Sequence, residues 1–485
     1  MAAWCACFLA VFAVVDAASI NGSPHYDYDT IVVGLGAAGT TAASDLARAG
    51  RRVLALEPQG RVGGRVNTAS VGGGSFVEMG AEWIHGQDSS ITYNLALQHN
   101  ISIQPQILDT QTFRSDGSLV DGAFMDEVMR YALPLMEAHP EKPEPLGVFM
   151  TRKIKTYLQD HYPSIYDDED FVSELLVFMD LIVDSHVGSA TWNDSTTHTQ
   201  YKELGGSQEM SWHSYGYKTL FEILLNTYKN GTGLPTLTTE LHKEVTQIIW
   251  PQDPEGVVVV KCKDGAEYTA DNVIITVSVG VLKERHESLF SPPLPQEKVD
   301  AINGIPLGVV DKIVLLFNET WWPNNTFMGF IWKGEDRRQV PEEDQWTTMI
   351  LGANQPMSCE RALTLWTNGE TAKHMESLPE DVVRDKSMEL LKTFVGNNRT
   401  IPEPVGFLRS TWYSNPYTRG SYSFDSLASP SQPALRPTLA APLVDSSGKP
   451  RVLFAGEASN PTHYSTVHGA AETGRREAKR LLGSN

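Results

Sequence analysis

Cysteine is scarce in this chain, with four in 485 residues, and two of them, Cys5 and Cys7, fall at the extreme start. The remaining pair, Cys262 in "VVVVKCKDG" and Cys359 in a loop-like stretch, cannot build a disulfide framework and forms no Cys-x-x-Cys zinc pattern. Two quiet thiols are expected, and no metal site. Basic residues are also short: 39 Lys and Arg against 59 Asp and Glu leave a formal charge of −20. That balance argues against nucleic acid or an anionic membrane surface as partner and is compatible with a cationic ligand. No stretch reaches the roughly 20 apolar residues of a membrane span. The opening "MAAWCACFLAVFAVVDAAS" holds 14 uncharged residues from Ala2 to Val15 and ends in small residues. It lacks Lys or Arg, yet residues 1–17 read as a signal peptide. Sequons at Asn21, Asn100, Asn193, Asn230, Asn318, Asn324 and Asn398 exceed the about two or three that chance would supply. A secreted or secretory-lumen glycoprotein is therefore expected.

What the chain does have is a glycine-rich turn in a telling place. In "TIVVGLGAAGTTAASDLARAG" the apolar run from Ile31 to Val33 reads as a buried parallel strand. Gly34, Gly36 and Gly39 make a tight turn, and an Ala-rich helix follows until Gly50. "RVLALE" is a second buried strand ending at Glu57, 23 residues after Gly34. One glycine permits the turn, one lets backbone N–H groups approach a pyrophosphate, and one allows helix–strand packing. Glu57 can accept hydrogen bonds from an adenosine ribose and would repel a 2′-phosphate. "EPQGRVGGRVNT" then adds a second glycine-rich turn with Gly63, Gly64 and Arg65, suited to an extended dinucleotide.

Further along, the pattern changes to longer amphipathic helices between about 91 and 230, including "DFVSELLVFMDLIVDS". Strands return as "EVTQIIW", "GVVVVKC" and "NVIITVSVGVL", then "KIVLLF", and late in the chain "RVLFAGEA" precedes an amphipathic helix. The expected fold class is α/β. A Rossmann-like dinucleotide domain would be discontinuous over 26–90, 231–310 and 425–485, with an α+β substrate-binding domain from 91–230 and 311–424. No internal repeat is evident.

The acid followed by "GRVGGRV", then "GAEWIHG", "VSVGVLK", "KIVLLF" and "FAGEASNPTHYSTVHGAAETG", resembles the flavin-containing amine oxidase family. Within it the chain is most similar to the polyamine oxidase branch, and the matching blocks run in the family's order from Thr30 to Leu482. The resemblance implies FAD as cofactor. It assigns Glu57 and Arg65 to the dinucleotide, Val245 to the adenine region, Gly456 and Glu457 to the ribityl–pyrophosphate region, and Thr466 and Val467 to the pyrimidine edge of the flavin. Gly80 and Ala81 would keep the backbone close to the cofactor. Relatives that attach flavin covalently use a cysteine where this chain has "YTRGSYSF", so FAD is expected to be non-covalent.

The same resemblance implies oxidation of a polyamine (spermine, spermidine or an N1-acetylated form) at a carbon next to a secondary amine. The resulting imine hydrolyses to aldehyde and amine, and O2 is reduced to H2O2. Lys312 matches the lysine that holds a water at flavin N5, and Tyr422 the aromatic residue flanking the ring. Trp83 lines the cleft, where aromatic walls hold aliphatic amines by packing and cation–π attraction. His85 alone reads as a packing residue, a metal ligand or a proton-handling group. No second ligand stands at metal spacing, and in this context it is expected to meet the substrate nitrogen and to titrate near neutrality. Glu203 and the acidic run Tyr166–Asp170 are candidates for attracting a second amine. An amino-acid oxidase of the same fold would instead need an arginine clamp, for which Arg409 and Arg419 are available. A flavin-binding protein with little turnover is the remaining alternative, and oligomeric state is left open.

Overall fold

A computed structural model describes residues 26–107, 109–323, 327–396 and 399–483. The expected leader over 1–17 and the sequons at Asn21, Asn324 and Asn398 lie outside them. Three apolar residues, Ile31 to Val33, drive the first strand, β1 (Tyr28–Val33), into the interior, with Thr30 buried beside them. The helix α1 (Ala37–Arg48) follows, with small residues Ala37 to Ser44 buried on all sides, between the sheet and neighbouring elements. The wholly buried β2 (Val53–Leu56) returns beside β1 in parallel register. Continuous apolar runs of this kind belong to strands covered on both faces.

A nine-stranded sheet grows around this unit from three separated stretches. β1 lies between β2 and Glu267–Ile275, and β2 pairs in turn with Leu237–Glu240, all parallel. Pro450–Phe454, from near the carboxyl end, adds in parallel to Glu267–Ile275. Antiparallel Val258–Cys262 joins the same edge of Glu267–Ile275 nearer its start, and Val245–Ile249 pairs in turn with Val258–Cys262. One face packs a core containing Ile31, Leu54, Val273 and Phe454; the other packs Val32 and Ala55 against Ala42 and Leu46 of α1.

A second, six-stranded sheet contains β3 (Val310–Leu316) paired antiparallel with β4 (Ala362–Asn368), with Lys312 directly opposite Trp366. β3 is buried from Val310 to Leu315, so its two charged members, Asp311 and Lys312, must find partners inside the protein. The long helix Glu169–Val187 packs beside this sheet. The acidic run before that helix is accounted for locally, since Asp168 caps its first turn by accepting from the Phe171 N–H at 3.0 Å. One expected strand is corrected: its tail from Val279 to Leu282 is not extended but begins the helix Val279–Leu289. Ser278 is the reason, because its Oγ accepts from the Val281 N–H at 3.2 Å and starts a helix where the apolar run suggested more strand. Cys262 and Cys359 are both buried and unpaired. No helix among the described residues is long and apolar enough to cross a membrane.

Candidate active site

A cavity of about 1350 Å³ runs from the first glycine turn to the face of the second sheet. At its dinucleotide end, Gly34 (φ +96°) and Gly39 are required by packing. A Cβ on Gly39 would come 1.9 Å from the Gly34 carbonyl oxygen. Gly36 differs: no protein atom lies nearer than 4.0 Å to the point where its Cβ would stand, and it opens on the cavity. It also precedes α1, whose first turn has neither a side-chain cap nor an acidic residue. Uncommitted N–H groups and the helix dipole therefore face the space a pyrophosphate would fill. Glu57 is buried, with Oε2 accepting from the Leu35 N–H at 2.8 Å and Oε1 from the Gln59 N–H at 3.0 Å. Burial pushes its pKa up despite those bonds.

The second glycine turn is stacked on the first. The Gly63 N–H donates to Leu35 O at 2.8 Å, and a Cβ on Gly64 would approach the Gly36 Cα to 3.2 Å. Arg61 pins this turn by donating to the carbonyls of Gly64 and Val66 at 2.8 and 2.9 Å. Arg65 reaches across the molecule, donating from Nη1 to Ser421 O at 2.6 Å and to Glu457 Oε1 at 2.9 Å. Glu457 Oε2 accepts from Ser423 Oγ at 2.7 Å and from the Ser465 N–H at 3.0 Å. Burial raises Glu457, but Arg65, Ser423 and Arg436 outweigh it and hold the carboxyl below its ordinary range. Gly80 and Ala81 pack on Arg65: a Cβ on Gly80 would lie 2.0 Å from Arg65 O, and Ala81 N–H donates to the same oxygen at 3.2 Å. Gly456 (φ +134°) has open space where a Cβ would stand. Thr466 caps the helix α2 (Val467–Leu482), accepting from the Gly469 N–H at 2.9 Å. Gly456, Glu457, Thr466, Val467 and half-buried Val245 all border the cavity. Two helix amino termini, a buried ribose-type acid and a side-chain-free cradle fit an FAD-sized dinucleotide.

At the other end Lys312 is buried. Its Nζ donates to Glu82 Oε2 at 2.7 Å and to the Glu78 carbonyl at 2.8 Å. It stands 4.5 Å from the Trp366 ring centroid, and Trp366 stacks on Trp83 with centroids 5.8 Å apart and planes 12° from parallel. Both indole N–H groups are occupied, Trp83 on Gln106 Oε1 and Trp366 on Asn354 Oδ1, each at 2.7 Å. The Tyr422 hydroxyl donates to Ser185 O at 2.8 Å, and its ring rests on Gly188, where a Cβ would come within 2.5 Å. His85 lines the same space, hydrogen-bonded to the backbone of Gln208. Burial lowers it to about 4, with the nearby His186 adding to the effect. The imidazole is therefore neutral at physiological pH, which corrects the expectation of a titration near neutrality.

Glu203 sits at the rim with Glu137 and Glu209. Burial in the mouth and the Glu137 carboxylate beside it push Glu203 up to about 7. Arg409 and Arg419 are committed elsewhere: Arg409 donates to the Met375 and Leu378 carbonyls, and Arg419 pairs with Glu284. The cavity thus gathers Gly34, Gly36, Glu57, Gly64, Arg65, Gly80, Ala81, Trp83, His85, Glu203, Val245, Lys312 and Tyr422, while Gly39 supports it from behind. Sequence reasoning missed Glu82, Gln106, Asn354 and Trp366. Only Glu82 carried a signal, as a second acid in "EMGAEWIHG" facing an unpartnered buried lysine.

Comparison with known proteins agrees with this geometry. The family described as flavin containing amine oxidoreductase matches residues 37–482. The peroxisomal N(1)-acetyl-spermine/spermidine oxidase of Bos taurus is 30% identical over 495 residues, covering 93% of this chain and 94% of its own. Probable polyamine oxidase 5 of Arabidopsis thaliana is 26% identical, with 93% and 97% covered. Lysine-specific histone demethylase 1 homolog 2 of Oryza sativa subsp. japonica is 28% identical over 93% of this chain but 56% of its own length. The chain belongs to the flavin-containing amine oxidase family and is an FAD enzyme.

Proposed function

We propose that this protein oxidises polyamines such as spermine, spermidine or their N1-acetylated forms at a carbon next to a secondary amine, passing electrons to O2 as H2O2. FAD, bound without a covalent link, supplies the hydride acceptor. The chain's own residues bind, orient and manage protons. Rim acids Glu137, Glu203 and Glu209 draw a cation into the mouth. Trp83, Trp366 and Tyr422 give an aliphatic amine aromatic walls. Neutral His85 offers a ring nitrogen to the reacting amine, which must be unprotonated to lose hydride. Lys312, cationic between Glu82 and an indole face, directs its remaining N–H into the cavity.

The observation that carries the substrate reading is the polarity of this cavity. Glu137, Glu203 and Glu209 outnumber Lys202 on their part of its wall, while both candidate arginines for clamping a carboxylate are bound elsewhere. This disfavours the amino-acid oxidase alternative. The reading retains 26–90, 231–310 and 425–485 as the cofactor domain, with 91–230 and 311–424 as the substrate domain. It also includes passage through the secretory pathway, with which the exposure of Asn100, Asn193, Asn230 and Asn318 is compatible. Peroxide release should appear with spermine, N1-acetylspermine or spermidine and be absent with amino acids. Turnover of amino acids alone would favour the carboxylate-clamping alternative; no turnover of any amine would reject the proposal.

A further inference from the structure

Lys312 is not a lone buried amine. Its Nζ meets the Glu82 carboxylate at 2.7 Å, the Glu78 carbonyl at 2.8 Å and the Trp366 face at 4.5 Å, three partners that all favour a cation. Both side chains of the ion pair are almost fully enclosed, at 4% and 6% exposure. Glu82 stands between Gly80-Ala81, which pack on the Arg65 carbonyl, and Trp83, which stacks on Trp366. The pair therefore joins the segment under the cofactor space to β3 of the second sheet.

We infer that Glu82 is a positioning residue for the reaction: it is the counter-charge that keeps Lys312 an ammonium and aims its third N–H into the cavity. An ammonium has three donors and no acceptor. With two donors spent on Glu82 and Glu78 O, Lys312 can hold a water or an oxygen atom but cannot take a proton from the substrate. That leaves neutral His85 as the acceptor side of the site. The other ionisable groups facing this pair are Glu78, whose carboxylate is turned toward Thr68 and the Tyr217 N–H, and His85 across the cavity. Asp311 and Glu376 are engaged with Ser410 and with the Trp412–Ser414 backbone. None replaces Glu82 as a contact of Lys312 Nζ.

The inference rests on the reading that Lys312 works at the reacting end, yet it can be tested without turnover. Thermal midpoints of the FAD-loaded protein are compared for wild type, Glu82→Gln, Lys312→Met and the double variant from pH 6 to 10. Removing the carboxylate strands a buried cation, so Glu82→Gln should lower the midpoint and Lys312→Met added to it should recover most of the loss. The deficit of Glu82→Gln should also narrow as pH rises. An unpaired buried amine binds its proton less tightly folded than unfolded, so stability increases with pH. A pH-independent deficit that the double variant fails to recover overturns the inference. Should Glu82→Gln yield no soluble protein, soluble double variant supports it. Insolubility of the double variant beside a soluble Lys312→Met contradicts it. Failure of the wild type on every amine would reject the proposed function and Glu82's place in that reaction, while the midpoints would still report whether Glu82 holds the charge of Lys312.

Discussion

Burial holds the His85 imidazole at about 4, so the role proposed for it is that of a neutral hydrogen-bonding group rather than a switch. His85→Asn should lower kcat/KM for a polyamine by about tenfold or more. It should leave any limb of the pH–rate profile between pH 6 and 8 in place; disappearance of such a limb would show that His85 does titrate there. Glu78 makes the opposite excursion, pushed up to about 7 by burial despite bonds from the Tyr217 N–H and Thr68. The folded carboxyl keeps its proton to higher pH than the unfolded one, so the folded state binds more protons between pH 4.5 and 7. Its stabilising contribution is complete below pH 4.5 and is lost as pH rises toward 7, by roughly 3 kcal/mol. Glu78→Gln should flatten the fall in thermal midpoint over that window; an unchanged slope would assign it to other groups. Residue types were legible in "EMGAEWIHG", but their environments were not. The sequence could not reveal that Glu82 and Lys312, 230 positions apart, are one ion pair.

The β1–α1–β2 unit was readable because its signals are local: an apolar run, glycines at fixed offsets, small helix residues and an acid. The helix Val279–Leu289 was misread because one serine side chain overrides an apolar run that also suits a strand. Glycines that look alike in the motif do different work. Gly36→Ala meets no protein atom nearer than 4.0 Å and has a backbone (φ −74°) that alanine adopts freely. It should leave the fold intact and weaken FAD binding by about tenfold or more. Gly39→Ala drives a Cβ against the Gly34 carbonyl and should reduce soluble yield or thermal midpoint even with FAD in excess. Equal effects of the two substitutions on fold and on FAD affinity would contradict this division.

For the whole molecule, three stretches far apart in sequence share one sheet, and the Arg65–Glu457 pair ties the second glycine turn to the segment before α2. The order of motifs hinted at this interleaving, because each half of the cofactor pattern lies at an opposite end of the chain. The second sheet was harder to foresee: β4 supplies Trp366 and Gly352–Asn354 supplies Asn354, and neither strand carries a motif. Together the second sheet, which carries Lys312 and Trp366, and the Glu82–His85 segment outside both large sheets bring an ion pair, stacked indoles and an imidazole to one cavity, which Glu137, Glu203 and Glu209 also line. The central claim is that this arrangement oxidises polyamines through bound FAD. Its most direct measurement is anaerobic mixing of the purified yellow protein with spermine, N1-acetylspermine and spermidine, following flavin absorbance. The account predicts bleaching by at least one polyamine and recovery of the colour on admitting O2; flavin that stays oxidised with every polyamine would contradict it.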